Sequence, residues 1–105
     1  MLKINFEFRK GIFFIRLIGD LKNKNYLGKE KTLKRLIIEN EFKYIVINTN
    51  YLKKIDIDGL NYLLEIFYIT TMNETNLIIC DRTNIFKRLL NERIPSIKEE
   101  TEVLL

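Results

Sequence analysis

Three short segments of the chain are apolar at nearly every position and rich in β-branched residues: residues 12–18, 44–48 and 77–80. A strand with one face in water alternates apolar and polar side chains. Continuous apolar runs of this length are instead typical of strands that are covered on both faces or lie centrally in a sheet. Because the segments between them have helical periodicity, we expect strands and helices to alternate through right-handed crossovers. This pattern favours the α/β fold class.

The N-terminal segment follows a different pattern. Residues 4–9 alternate apolar and polar side chains, which is the period of a half-buried strand. The Lys-Gly pair at positions 10–11 then provides a turn before the apolar run of residues 12–18. We therefore predict an N-terminal β-hairpin, which makes the predicted sheet a mixed one.

Three segments have the apolar spacing of helices: residues 25–40, 59–72 and 84–91. Thr83 or Asn84 is the predicted cap of the third helix, because both residue types accept hydrogen bonds from free N–H groups at helix starts. The helices are therefore expected to separate the buried strands along the chain.

The remaining segments complete the predicted order of elements. Residues 49–58 are predicted to be a loop, and Pro95 separates the third helix from a last short strand around Ile97. We expect residues 1–105 to form a single domain, a length that suits one domain of ordinary size. Its predicted architecture is a small mixed sheet of four to five strands with helices packed mainly on one face.

The composition excludes several kinds of catalytic site. The chain has no histidine and a single cysteine, which excludes a histidine-dependent triad, a Cys/His zinc site and a disulfide framework. Paired carboxylates at Asp20, Asp56 and Asp58 are the remaining candidates for holding Mg²⁺ or for acid–base chemistry. No phosphate-binding glycine-rich loop and no nucleophile beside a base accompany them. We therefore expect neither enzymatic activity nor a cofactor.

The chain is moderately basic, with 18 Lys and Arg against 14 Asp and Glu and a formal charge of +4. The basic residues are dispersed and no run of five like charges occurs, so a solvated helix face explains them better than a nucleic-acid site. We expect no nucleic-acid partner. The residues considered for such a site are Lys22, Lys24, Lys29, Lys31, Lys34 and Arg35.

The apolar segments are too short for a membrane span, which needs about 18 consecutive apolar residues. Residues 1–9 alternate instead of showing a charged start followed by a continuous apolar stretch. We therefore expect a cytoplasmic protein without membrane insertion. Cys80, which follows three apolar residues, is expected to be a reduced core residue.

Four segments, taken in order, match a known domain. They are Arg-Leu-Ile-Gly-Asp-Leu at 16–21, Tyr-Ile-Val-Ile-Asn at 44–48, Ile-Asp-Ile-Asp-Gly-Leu at 55–60 and Phe-Lys-Arg-Leu-Leu at 86–90. In this order and spacing, which covers nearly the whole chain, the sequence resembles the STAS domain, the fold of bacterial anti-sigma-factor antagonists. The resemblance implies a STAS-like fold and a regulatory module that binds another protein.

The loop-to-helix junction departs from the family pattern. Family members carry Asp-Ser-Ser-Gly-Leu or Asp-Ser-Thr-Gly-Leu there, and the first hydroxyl residue is phosphorylated by a partner kinase that is also the anti-sigma factor. This chain has Ile57 at that position and Asp58 at the next, whereas Asp56, Gly59 and Leu60 agree. A second departure is Lys22, where relatives often carry an acid.

Isoleucine has no oxygen to phosphorylate, and its uncharged side chain resembles the unmodified form. We therefore expect a STAS domain that is held in a binding-competent state. Thr49, in the same predicted loop, is the candidate substitute phosphoacceptor. Without the family, the plainer interpretation is that Asp58 caps the helix and Gly59 allows a tight entry.

The resemblance implies a serine-kinase-type anti-sigma factor, or another component of a STAS assembly, as the partner. The alternative is an accessory subunit of a membrane lipid-transport ATPase complex, because small STAS proteins serve there too.

The second predicted helix has two apolar stripes. A second stripe lies on roughly the opposite side of the helix from the one predicted to pack on the sheet. The residues of the stripe predicted to pack on the sheet are Leu60, Leu63, Leu64, Phe67 and Thr71. The second stripe could pack on a neighbouring helix, form a homodimer or dock a partner, and the resemblance favours docking. The predicted partner-binding residues are Asp20, Asp56, Ile57, Asp58, Gly59 and the second stripe, Tyr62, Ile66 and Ile69.

Overall fold

A computed structural model describes residues 1–89 and 94–104, apart from the side chains of residues 30 and 87. The described residues form one six-stranded mixed sheet with three α-helices and a C-terminal 3₁₀ helix. In chain order the elements are β1 (Leu2–Arg9), β2 (Ile12–Leu21), α1 (Glu30–Glu39), β3 (Tyr44–Asn48), β4 (Leu52–Ile55), α2 (Ile57–Met72), β5 (Asn76–Cys80), α3 (Ile85–Leu89), β6 (Ser96–Ile97) and the 3₁₀ helix (Glu100–Val103).

The predicted hairpin is confirmed. β1 pairs antiparallel with β2 from Leu2 opposite Gly19 to Arg9 opposite Ile12. The two turn residues between the strands have left-handed φ angles of 52° and 80°. Two successive left-handed residues are what a tight two-residue hairpin turn requires.

The predicted parallel pairing and the mixed sheet are also confirmed. β3 runs parallel between β2 and β5, and β6 continues the sheet beside β5, which gives the order β1-β2-β3-β5-β6. One face of the sheet carries the main core, to which all three helices contribute buried side chains. On the other face, Phe14, Val46 and Cys80 are covered by residues of β6 and the C-terminal turn. Burial on both faces explains the continuous apolar runs.

Two segments differ from the predictions, and a third lies partly outside the described residues. The first helix begins at Glu30 instead of residue 25, because residues 25–29 form successive turns in which Asn25, Leu27 and Lys29 donate to the carbonyl three residues earlier. Residues 52–55, predicted to be part of a loop, form β4, which pairs with the end of β2 and raises the strand number to six. The third helix is described only as far as Leu89, so the last two residues of the predicted helix lie outside the described residues.

The orientation of α2 corrects the prediction for its second stripe. Tyr62 and Ile66, expected on the outer side, are only 2% and 1% exposed and belong to the main core. The Tyr62 ring stacks on Tyr26, which precedes α1, with ring centroids 4.3 Å apart. Ile69 is half-buried and packs against the same core. Of the three interpretations of the second stripe, packing within the domain is therefore the correct one.

A single stripe accounts for the buried side of α2. At about 100° per residue, its buried positions fall within an arc of roughly 140°. They are Gly59, Tyr62, Leu63, Ile66, Phe67 and Thr70. Leu60 and Leu64 lie at one margin of this arc and are half-buried, whereas Thr71 is exposed.

A charged cluster joins distant parts of the chain on the sheet face opposite the helices. The Arg16 guanidinium donates to both carboxylate oxygens of Glu100, at 2.8 and 2.7 Å, and to Glu7 Oε1 at 2.7 Å. It also donates to Asn5 Oδ1, and Asn48 donates to Glu100 Oε2. These bonds fasten the C-terminal 3₁₀ helix to β1, β2 and β3. The pKa of Glu100 lies below its usual value, mainly because the Arg16 side chain donates hydrogen bonds to the ionised carboxylate.

The corrected orientation of α2 can be tested by truncating one residue from each side of the helix. Ile66→Ala should lower the free energy of unfolding by about 2–4 kcal/mol, because it removes buried methyl groups and leaves a cavity. Tyr68→Ala, on the exposed side of the same helix, is the matched control and should change it by no more than about 0.5 kcal/mol. Urea denaturation measures both, and equal effects would contradict the described orientation.

The role of Glu100 can be tested through its charge. Glu100→Gln should lower the free energy of unfolding by about 2 kcal/mol at pH 7, because charged hydrogen bonds to Arg16 are lost. Since the pKa of Glu100 is lowered by folding, its contribution is present above the unfolded value of about 4.3 and is lost as pH falls through the folded value.

Urea denaturation between pH 7 and pH 3 should therefore show the difference between wild type and Glu100→Gln shrinking towards low pH. Glu41→Gln removes an exposed carboxylate outside the cluster and provides the control. If Glu100→Gln loses no more stability at pH 7 than Glu41→Gln, the role assigned to Glu100 is contradicted.

Candidate functional site

The start of α2 is positioned by β4. β4 runs parallel to the last residues of β2, with Asp20 opposite Lys54 and Leu21 opposite Ile55. Immediately after β4, the Asp56 backbone N–H donates to the Leu21 carbonyl at 3.2 Å. This pairing holds the predicted partner-binding segment, residues 56–59, against the end of β2.

Asp56 is the N-cap of α2, which corrects the assignment of that role to Asp58. One Asp56 carboxylate oxygen accepts from the Gly59 backbone N–H at 2.8 Å, as a capping residue does. The other accepts from the Asn23 backbone N–H at 2.8 Å and so ties the loop after β2 to the helix start. The bond from Asn23, followed by that from Gly59, holds the pKa of Asp56 below its usual value. Asp58 lies in the first helical turn, where its negative charge suits the helix dipole.

Gly59 lies where α2 contacts the end of β2. A Cβ atom at this position would lie 2.2 Å from the Leu21 carbonyl oxygen and 2.9 Å from its side chain. No side chain fits there, so Gly59 is a packing residue and is buried.

Ile57 is a highly exposed member of the predicted site. Its side chain is 76% exposed at the first position of α2, and Asp58 beside it is also exposed. Asp20 is half-buried at the end of β2, with its carboxylate 3.9 Å from Lys22 Nζ and 4.0 Å from the N-terminal ammonium. The structure thus brings Asp20, Ile57 and Asp58 to one end of the sheet and places Tyr62 and Ile66 inside.

Thr49 is a poor phosphoacceptor in this structure. It is buried, and its hydroxyl donates to the Cys80 carbonyl at 3.1 Å. The expectation that Thr49 replaces the missing hydroxyl residue is therefore corrected, because a kinase needs an accessible oxygen. Cys80 is a free, buried thiol, as predicted, and burial is the main cause that raises its pKa to about 12.

A groove that sequence reasoning missed lies between β4 and α3, and Leu60, one helical turn after Ile57, is part of its lining. Its volume is about 330 Å³, and half-buried Leu52 and Leu60 and buried Phe86 form part of its lining. Exposed aliphatic and basic side chains of β4, of α3 and of the loop before α3 also line it: Lys53, Lys54, Ile55, Arg82, Ile85 and Leu89.

Asp81 holds the loop that carries one wall of the groove. Its buried carboxylate accepts from the Thr83 backbone and hydroxyl, at 3.0 and 2.6 Å, and from the Phe86 backbone N–H at 3.0 Å. Of the two predicted caps, Thr83 accepts from the Ile85 backbone N–H at 3.3 Å, whereas Asn84 adopts a left-handed φ of 59°. These bonds fix the first turn of α3 and the exposed Ile85 beside the groove.

Two further properties of the described residues concern other types of site. Across residues 1–89 and 94–104, no three His, Cys, Asp or Glu side chains cluster closely enough to hold a metal ion. Within the same ranges, no helix has both the length and the apolar content to cross a membrane.

The role of Asp56 can be tested through pH. Asp56→Ala should lower the free energy of unfolding, because it leaves two backbone N–H groups without their acceptor. Since folding lowers the pKa of Asp56, its charge-dependent contribution is present above the unfolded value of about 3.9 and is lost as pH falls through the folded value. Asp56→Asn keeps an oxygen that can cap the helix but has no charge, so its comparison with wild type isolates the contribution of the charge.

Chemical denaturation between pH 7 and pH 2.5 is the measurement. The advantage of wild type over both variants should shrink at the acid end of this range. An advantage over Asp56→Asn that stays constant with pH would contradict the assigned role of the carboxylate.

The sequence matches no known protein-family model. The structure is similar to solved structures across nearly its whole length. It matches the anti-sigma factor antagonist SpoIIAA in its unphosphorylated form with a TM-score of 0.73 and 14% identity, covering 97% of this chain and 92% of that one. An anti-sigma factor antagonist from Mycobacterium paratuberculosis gives a TM-score of 0.74 at 13% identity, with 99% and 92% covered.

A third solved structure shares the fold without an assigned role. It is an uncharacterised protein from Shewanella loihica with a SpoIIAA-like fold, which matches with a TM-score of 0.66 and 14% identity over 98% of this chain and 90% of that one. Taken together, these similarities show that the chain has the STAS fold, as the sequence resemblance implied. Because unrelated functions can share one fold, they leave function to be argued from the site.

Proposed function

We propose that this chain, whose fold is that of the anti-sigma factor antagonists, is a regulatory module that binds a protein partner at the start of α2. The observation that carries the proposal is the exposed Ile57, which lies between Ile55 and Leu60, two residues that line the groove between β4 and α3. We define the docking surface as Ile55, Ile57, Asp58, Ile85 and Leu89, together with the basic Lys53 and Lys54 and with Asp20 at its margin.

The chemistry of this surface suits a protein partner. Four of its members are exposed aliphatic side chains, and burying apolar area contributes about 25 cal/mol for each Å². Charged side chains stand among them, in the way that polar residues surround the apolar centre of many interfaces. The proposal needs no catalytic group and no cofactor.

The predicted partner-binding set changes accordingly. Tyr62, Ile66 and Gly59 are buried, so they are removed from it. Both carboxylate oxygens of Asp56 are occupied by backbone N–H groups, so its role is to position the surface. Ile69 packs on the core and makes no part of the docking surface.

The proposal includes a binding state that phosphorylation at the usual position cannot switch off. A phosphate at a helix start would accept hydrogen bonds from free N–H groups and would place about two negative charges on the docking surface. Ile57 cannot carry one, so its apolar side chain keeps this position of the surface in its unphosphorylated form. The partner that this reasoning favours is an anti-sigma factor of the serine-kinase type.

The test is binding to the purified serine-kinase-type anti-sigma factors of the source organism, measured by calorimetry. Ile57→Asp should weaken binding by at least about 30-fold, because it buries a charge at the centre of the surface. Tyr68→Asp, an equal change of charge on the exposed side of α2, is the matched control and should leave affinity within about twofold. Thermal unfolding of both variants should stay close to wild type, since both positions are exposed.

The same proteins test the switch. With Mg-ATP and the anti-sigma factor, Ile57→Ser should gain one phosphate on the peptide of residues 56–60, detected by mass spectrometry. Wild type should gain none. Binding by no anti-sigma factor, or equal weakening by Ile57→Asp and Tyr68→Asp, would overturn the docking proposal. Phosphate on wild type within that peptide would overturn the fixed state.

A further inference from the structure

The outer edge of β1 is an unpaired strand edge within the described residues. β2 is the only neighbour of β1 there, and their register is continuous from Leu2 to Arg9. The Asp20 N–H donates to the Met1 carbonyl, so residue 1 lies in a hydrogen-bonded pair with residue 20. Such pairs alternate along an antiparallel ladder, so odd-numbered residues of β1 bond to β2. The backbone groups of Leu2, Ile4, Phe6 and Phe8 therefore face outward.

This edge has few of the features that protect free strand edges. Proteins usually block such edges with short strands, prolines, bulges or charged side chains, and of these β1 has only charged side chains, on the face opposite the helices. β1 is eight residues long, contains no proline and shows no shift of register. A hydrogen-bonding template of this length is suited to pairing with another strand.

The side chains along the edge are apolar on the helix-covered face. Phe6 is 39% exposed and Phe8 is 62% exposed, although both take part in aromatic contacts. The Phe6 ring stacks on Phe13 with centroids 5.7 Å apart, and the Phe8 ring lies 5.9 Å from Phe42. A groove of about 160 Å³, lined by Ile4, Phe6 and residues 28, 29 and 32, lies beside them. A second strand at this edge would cover these rings.

The opposite face of the edge carries charges of both signs. Lys3 is exposed and forms no ion pair with the described residues. Glu7 is four residues further along on the same face, and only its Oε1 oxygen is used by Arg16. Glu7 Oε2 is therefore still able to accept a cation from outside the chain.

These charges select one register for two copies paired antiparallel. The even-numbered residues of β1 have outward backbone groups, so Ile4 of one copy can form a hydrogen-bonded pair with Phe6 of the other. This pairing puts Asn5 opposite Asn5 at the centre, and the two-fold symmetry then places Lys3 opposite Glu7 twice. Ile4 then lies opposite Phe6, and Leu2 opposite Phe8. Shifting the centre to Phe6 sets Lys3 opposite Arg9, which is repulsive. Shifting it to Ile4 sets Lys3 opposite Asn5, so the attraction between Lys3 and Glu7 is lost.

We propose that two copies of this chain associate through β1, in the register that sets Asn5 against Asn5, to form one continuous sheet. The occupant of the edge is thus a second copy, chosen by the complementary Lys3 and Glu7. The proposal is independent of the partner proposed for the docking surface.

A disulfide reports the register. At the centre, Asn5 and its symmetry mate form a non-hydrogen-bonded pair with Cα atoms about 4.5 Å apart, which a disulfide can span. Asn5→Cys should therefore give a covalent dimer with oxidised glutathione, seen on a non-reducing gel. Lys3→Cys is the matched control: its two copies would lie about 14 Å apart along the strands, so it should give none. Wild type should also give none, because Cys80 is buried.

Sedimentation equilibrium tests the charge selection. Lys3→Glu places like charges opposite each other twice and should raise the dimer dissociation constant at least about tenfold. Arg9→Glu makes the same change of charge outside the Lys3–Glu7 pairs and should not raise it. Wild type that stays monomeric up to about 0.5 mM, equal cross-linking of the two cysteine variants, or equal effects of the two charge reversals would overturn the proposal.

Discussion

The close contact between Gly59 and the end of β2 fixes how α2 lies on the sheet. No Cβ atom fits between this position and the Leu21 carbonyl, so the helix approaches β2 with its backbone. Gly59 therefore defines the centre of the buried side, and Leu63 and Ile66, one and two turns later, follow it into the core. Ile57, at about 160° from Gly59 around the helix, is directed to solvent by the same contact.

This contact also explains why the sequence misassigned the faces of α2. The apolar side chains alone favour a stripe centred near Leu60 and Leu64, because glycine adds nothing to an apolar pattern. When Gly59 is counted as a packing position, the centre of the stripe moves by about 100° around the helix, which is one residue. Tyr62 then lies on the buried side, where its ring stacks on Tyr26. The missing information was a backbone contact, which no hydropathy pattern records.

The predictable parts of the fold were those with local signals. The hairpin, the parallel strands and α2 follow from alternation, continuous apolar runs and turn residues, and the STAS-like arrangement follows from the resemblance of four ordered segments to that family. β4 was missed because its sequence, Leu-Lys-Lys-Ile, has exposed lysines at its centre and is a strand through its pairing with β2. The bond between Arg16 and Glu100 joins residues 84 positions apart, so local patterns carry no trace of it. The groove beside α3 was missed for the same reason, because β4 forms one of its walls.

The junction of residues 56–60 separates structural from functional positions. Asp56 and Gly59, which match the family pattern, are the cap and the packing contact, so the fold itself requires them. Ile57 and Asp58, which depart from the family pattern, are exposed and do not serve as the cap or as the packing contact. A change at these two positions can therefore alter the chemistry of the proposed docking surface without altering the fold that presents it.

The two proposed surfaces are compatible because they lie on different sides of β2. β1 flanks β2 on one side, whereas β3 and then β4 flank it on the other, so pairing through β1 leaves the groove between β4 and α3 open. A pair of copies would present two docking surfaces related by a two-fold axis. A partner that is itself two-fold symmetric could then engage both surfaces if their spacing matches, and its second contact would form at a raised effective concentration. The edge of β1 would in that way strengthen binding at Ile57 without contacting the partner.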